Sequence, residues 1–277
     1  MPMEPPSAGG RPTPFRRLRR RVRRSPAGRG WMRGGDLQLS QRALGFAALG
    51  FLTLVPLLIV VSAADPDRGR GFAQWLGDGL GVSLASRQEV EQLFGRPGQA
   101  FRTTTAFGLA ALAVFGLSFG AAVQSGYEKA WNLPPARWWA RWRHVLWLAV
   151  LIGFLFLSAT STLGRRSAAG GLAAALSAVV FVWWSQWLLL GGRVRWRALL
   201  PGAVVTVVGL LGLRLFSRLV FSPLIASNTV TYGPFGTVLV IQSWLVGVGF
   251  VVFGGALVGR LIHEELPRAT RALKRRK

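Results

Sequence analysis

Cysteine is absent from the 277 residues. Disulfides, thiolate metal sites, cysteine nucleophiles and thiol redox chemistry are therefore excluded together. Histidine occurs only at His144 and His263, both beside basic segments, where each reads as a solvated interfacial side chain rather than as a metal ligand or the base of a hydrolase. Acidic residues number 10 against 34 Lys and Arg, and no grouping of Asp, Glu and His could hold a metal or activate water. No GxxxxGK phosphate loop occurs, so ATP is not the energy source. The expectation is a protein that is not an enzyme, without metal or cofactor.

A formal net charge of +24 and twelve tryptophans raise nucleic-acid binding first, since basic stripes with aromatics suit phosphates and bases. Long apolar runs argue against it. Six can be marked: 43–64, 104–126, 145–164, 170–190, 199–221 and 235–259. Each is about long enough to cross a hydrocarbon core of roughly 30 Å as a helix. Almost no charge falls within them, as a soluble helical bundle would require on its outer faces. The fold expected is all-α, a polytopic bundle of six transmembrane helices occupying residues 43–262.

The charge between the runs is one-sided. Residues 1–42, 127–144, 191–198 and 260–277 hold twenty-five of the thirty-four Lys and Arg, whereas 65–103, 165–169 and 222–234 hold seven. Short cytoplasmic loops collect Lys and Arg, so both termini are expected in the cytoplasm of a bacterial plasma membrane. Residues 1–42 read as a basic, disordered arm and 263–277 as a basic tail, both attracted to anionic lipid headgroups. The external segment 65–103 has the spacing of short amphipathic helices that cap the bundle.

The stretch GYEKAWNLPPARWWARWRHVLW, Gly126 to Trp147, falls on the cytoplasmic side of this scheme. Tryptophan prefers the headgroup level and Arg reaches phosphates. Trp131, Trp138, Trp139 and Trp142, with Arg137 and Arg141, are expected as interface anchors. Trp147, Trp183, Trp184, Trp187 and Trp196 extend the same belt. The partners expected are membrane lipids, with no specific nucleic acid.

Four stretches resemble one known family: LTLVPLLIVV in the first run, GYEKAWNLPPAR after the second, RALLPGAVVTVV opening the fifth, and YGPFGTVLVIQSWL with GGALVG in the sixth. In order and spacing they are similar to the YihY/BrkB family of bacterial inner-membrane proteins, from about Arg42 to Glu265. The resemblance implies six spans and an unsettled biochemical role. Where many members end the last span with Gly-Ala-Glu, this chain has Gly255, Ala256 and Leu257, so a role for that carboxylate does not transfer. The ribonuclease label given to some members finds no catalytic cluster here.

Intramembrane charge is costly, which singles out Arg214 and Arg218, one helical turn apart in the fifth run. Two readings stand: snorkelling to outer headgroups, or a site for an anion or lipid headgroup. Polar residues expected at similar depth are Gln242, Ser158, Thr160, Ser161, Asn228, Thr231 and Tyr232, the last three in an external loop. Gln124, Glu128 and Gln186 form a second, inner polar cluster, with Lys129 or Arg137 as the expected ion-pair partner of Glu128. Gly116 with Gly120, and Gly255 with Gly259, have the spacing of close helix contacts, within the monomer or in a homo-oligomer. The function expected is translocation of an anionic or lipid-like substrate. The alternative is a membrane scaffold for envelope assembly, with envelope proteins as partners.

Overall fold

A computed structural model of the chain describes residues 38–64, 105–136, 141–160, 168–232 and 234–274. Among them, all regular structure is helical, in six segments: α1 (Leu39–Ala64), α2 (Thr105–Ala130), α3 (Arg141–Thr160), α4 (Ala168–Leu190), α5 (Trp196–Tyr232) and α6 (Pro234–Lys274). All six are long and apolar enough to cross a membrane. Residues 1–37 of the basic arm and the segment 65–103 lie outside the described residues.

The helices run further than the apolar runs alone suggest. α2 continues through Ala130 and α3 begins at Arg141, so helix takes in both ends of the connecting segment 127–144. Residues 222–232, expected as a loop, belong to α5 despite Pro223 and several turn-favouring polar residues. A continued helix keeps its backbone groups bonded internally, which is favoured where water is scarce. At 1.5 Å per residue, the 37 residues of α5 and 41 of α6 span about 55 and 60 Å, beyond the roughly 30 Å hydrocarbon core. Pro234 opens α6, where a missing N–H has no helical partner to lose.

Contacts define an antiparallel path. α5 and α6 touch at Gly202 with Gly259, Thr206 with Gly255, Gly209 with Val251 and Leu213 with Gly247. As one number rises by about a turn the other falls by the same amount. Gly202 and Gly259 meet so closely that a Cβ on Gly259 would lie 2.7 Å from the Gly202 Cα. Small residues let backbones approach where no hydrophobic effect drives helices together. This is the use within the monomer that the Gly255 and Gly259 spacing suggested.

α1 packs against α2 and α6, α4 against α5, and α3 against both α2 and α4. Arg42 in α1 reaches Ser125 near the end of α2, and Arg260 in α6 donates to the Ala130 carbonyl. The start of α1, the end of α2 and residue 260 of α6 therefore share one end of the bundle. The main core lies toward that end, built around Phe46, Phe119, Tyr127, Trp147 and Phe253. Phe46 meets Phe119 and Phe253 edge-on at 5.0 and 5.8 Å between ring centroids. Gly126 of α2 lies directly under the Phe253 ring, a position any larger residue would dispute. On the outside, Leu157, Leu172, Leu176 and Val180 are exposed, as expected of helices solvated by lipid tails.

Candidate functional site

Two helix caps at the same end of the bundle bring together residues far apart in sequence. α2 closes with Asn132 in the left-handed region (φ 54°), its N–H bonded to the Lys129 carbonyl at 3.0 Å and the Leu133 N–H to the Glu128 carbonyl at 2.8 Å. α4 closes the same way with Gly191 (φ 68°), its N–H bonded to Leu188 and that of Gly192 to Trp187. Both are Schellman caps, which satisfy carbonyls that a helix terminus leaves open. Their consequence is positional: the first sets Glu128 in the last turn of α2, and the second turns the chain so that Arg193 points back toward it.

The Glu128 carboxylate is buried and receives several donors on one oxygen. Gln124 Nε2 donates at 2.8 Å and the Ala136 backbone N–H at 3.0 Å. The Arg193 guanidinium forms the ion pair. Arg193 also donates to the Pro134 carbonyl at 2.6 Å and to the Leu190 carbonyl at 2.9 Å. Gln124 Oε1 in turn accepts from His144 Nε2 of α3 at 2.5 Å. One carboxylate thus joins the end of α2, the α2–α3 connection, the start of α3 and the α4–α5 turn. A buried carboxylate is tolerable because its charge is paired and Oε1 takes three donors.

Glu128 does not pair with Lys129, as expected from sequence, because Lys129 is the next residue round the helix and is exposed. Arg137, the other expected partner, lies outside the described residues. His144, read as a solvated interfacial side chain, is instead half-buried and hydrogen-bonded. Arg193 was counted only toward orientation. The signal for it was the Gly191-Gly192 pair ahead of it, a helix stop that reverses the chain.

Of the inner cluster, Gln124 and Glu128 are brought together, while Gln186 is turned toward α5. It is fully buried, and neither its Nε2 nor its Oε1 has a hydrogen-bond partner. Its neighbour Ser185 is used differently, accepting a bond from Trp147 Nε1 at 3.1 Å. Trp131 is buried in the main core with its N–H unpartnered, whereas Trp142 and Arg141 are exposed. Trp138 and Trp139 lie outside the described residues. Around the α4–α5 turn, Trp183 donates to the Trp196 carbonyl at 2.8 Å. The Trp196 ring lies 4.4 Å from that of Trp183 and 5.3 Å from that of Trp187.

The outer set is more dispersed. Arg214 is exposed on α5, beside Leu215 and Phe216, which are also exposed. Gln242 is half-buried on α6 next to the buried Ile241. Ser161 lies outside the described residues, as do the side chains of Arg218, Thr160, Asn228, Thr231 and Tyr232. Among the described residues no group of three or more His, Asp or Glu is placed to hold a metal ion.

Searches of curated proteins and of solved structures each return no match. The family model described as Virulence factor BrkB matches residues 32–277, taking in all six helices, both caps and the Glu128–Arg193 pair. This membrane protein, with six helices among its described residues, belongs to the Virulence factor BrkB family.

Proposed function

We propose that the protein lies in the bacterial plasma membrane with both ends in the cytoplasm and moves an anionic or lipid-like molecule between the two sides. The observation that carries this reading is the buried ionic network of Glu128, Arg193, Gln124 and His144 inside a membrane bundle. Apolar packing would close a bundle end as well or better, because desolvating an ion pair offsets much of its attraction. Ionisable groups buried within a membrane bundle are costly, and their retention points to function. The excess of Lys and Arg in the segments at this end supports its cytoplasmic placement. Arg214, exposed on α5, supplies a first contact for a headgroup approaching from the bilayer, with Arg218 one turn on. Any energy comes from a gradient or a partner protein. No catalytic step is assigned.

A second reading, a scaffold for envelope assembly, is favoured by the close interior packing. Gly126 lies under Phe253, and a Cβ on Gly249 would lie 2.9 Å from the Ala43 Cα. The experiment that separates them is movement of labelled phospholipid between leaflets of vesicles holding the purified protein, beside an Arg214→Ala variant with matched folding and reconstitution. Movement that depends on Arg214 supports translocation of lipid. Rates equal to protein-free vesicles remove lipid as the substrate and leave small organic anions or the scaffold.

A further inference from the structure

Gln186 stands apart from the network at the bundle end. Its side chain is 0% exposed and both amide atoms lack partners. An amide buried without hydrogen bonds is destabilising. A buried group of this kind calls for an explanation, and a binding role is one.

Gln186 Oε1 lies 3.4 Å from where a Gly202 Cβ would stand, and the Gly255 carbonyl lies 3.3 Å from the same point. Gly202 meets Gly259 backbone to backbone. These three glycines put no side chain between the amide and this end of the α5–α6 seam. At Gly202 and Gly259 the helices meet backbone to backbone, whereas the Thr206, Val251 and Leu213 side chains engage the seam further along.

We propose that Gln186 is a hydrogen-bonding contact for the transported molecule, reached when α5 and α6 part at Gly202 and Gly259. The inference rests on the translocation reading and adds a substrate class to it. A neutral amide both donates and accepts, so it suits a headgroup bearing hydroxyls beside its phosphate: the hydroxyl donates to Oε1, and an oxygen of the headgroup accepts from Nε2. A headgroup with acceptors alone leaves Oε1 stranded.

Absence of native cysteine makes the first test free of background. Single-cysteine variants Gln186→Cys, Leu189→Cys and Leu199→Cys, all at positions with 0% exposure, are reconstituted and treated with a small membrane-permeant maleimide. Labelling at Gln186→Cys about tenfold faster than at the two leucine positions is expected, since an opening seam admits water and reagent. Equal rates overturn the proposal. This readout needs no lipid movement, so its failure is distinguishable from failure of the translocation reading.

Gln186→Leu provides the second test and guards against misfolding of the cysteine variant. Removing the stranded amide raises the midpoint of thermal unfolding by about 2–4 °C. It also slows movement of labelled phosphatidylglycerol about tenfold while phosphatidylcholine, whose headgroup has no donor, moves at the native rate. A lowered midpoint, or equal effects on both lipids, overturns the assignment.

Discussion

Glu128 and Arg193 lie 65 positions apart in sequence and form an ion pair that joins the end of α2 to the turn between α4 and α5. The carboxylate is nearly buried, with 8% of its side chain exposed, while the guanidinium keeps 28% in contact with its surroundings. Truncating the two partners therefore has unequal effects. Arg193→Ala leaves the buried carboxylate without its counter-charge, and is expected to destabilise by about 3 kcal/mol. Glu128→Ala leaves a partly exposed guanidinium still bonded to the Pro134 and Leu190 carbonyls, and should cost less. A double-mutant cycle read by thermal unfolding in detergent is expected to return a coupling of about 1–3 kcal/mol. Additive effects would show that the pair does not act as a unit.

The caps that place this pair are sensitive to backbone handedness. Gly191→Ala forces a Cβ into the left-handed region and against the Arg143 side chain, for an expected loss of about 1–2 kcal/mol. Asn132→Gly keeps the required conformation and should leave stability within about 0.5 kcal/mol of the native chain. The comparison of melting midpoints checks the role of φ without touching the ion pair itself.

Trp147 and Ser185 test the neutral part of the same end. Ser185→Ala leaves the indole N–H buried without its acceptor, an expected cost of about 1–3 kcal/mol. Adding Trp147→Phe removes the stranded donor, so the double variant should lose less than the sum of the two single losses. Strict additivity in denaturation midpoints would contradict the bond.

The α5–α6 seam has no room at Gly259. Gly259→Ala places a methyl group 2.7 Å from the Gly202 Cα, where backbone rather than a flexible side chain must move. Overpacking of this kind is expected to destabilise by about 1–3 kcal/mol. Gly254→Ala, one helix position from the seam with nothing within 4 Å of its Cβ, is the control and should melt like the native chain.

Topology has a direct readout because the chain carries no cysteine. Trp142→Cys, at an exposed position of α3, is expected to react with a membrane-impermeant thiol reagent in inside-out vesicles and to stay unlabelled in intact cells. Labelling in intact cells would place this end outside and reverse the proposed orientation.

How far the sequence reads can be judged from Glu128 and Gln186. Both were singled out as polar residues near helix ends, and both are buried in the structure. Their partners were not legible. Glu128 was matched with Lys129 and Arg137, its neighbours along the chain, because proximity in sequence is the only proximity a sequence displays. Gln186 was grouped with Gln124 and Glu128 on estimated depth, but depth leaves rotation about the helix axis unfixed, and the side chain faces Gly202 instead. The loop readings failed for a related reason: Asn228 and Tyr232 carry turn propensity in water, yet the helix continues through them.

By itself the sequence determined the solvent and the class of fold. Six apolar runs of sufficient length must cross as helices, since only helices and closed barrels satisfy every backbone group in lipid, and the glycine spacing in α6 already marked a face for close contact. Only the tertiary structure decided which faces meet. Two left-handed caps turn the chain at Asn132 and Gly191, and those turns bring Arg193 onto Glu128 while glycine contacts draw α5 onto α6 beside Gln186. These are orientations of rigid helices about their axes, set by packing among many side chains at once, and no local run of residues carries that information.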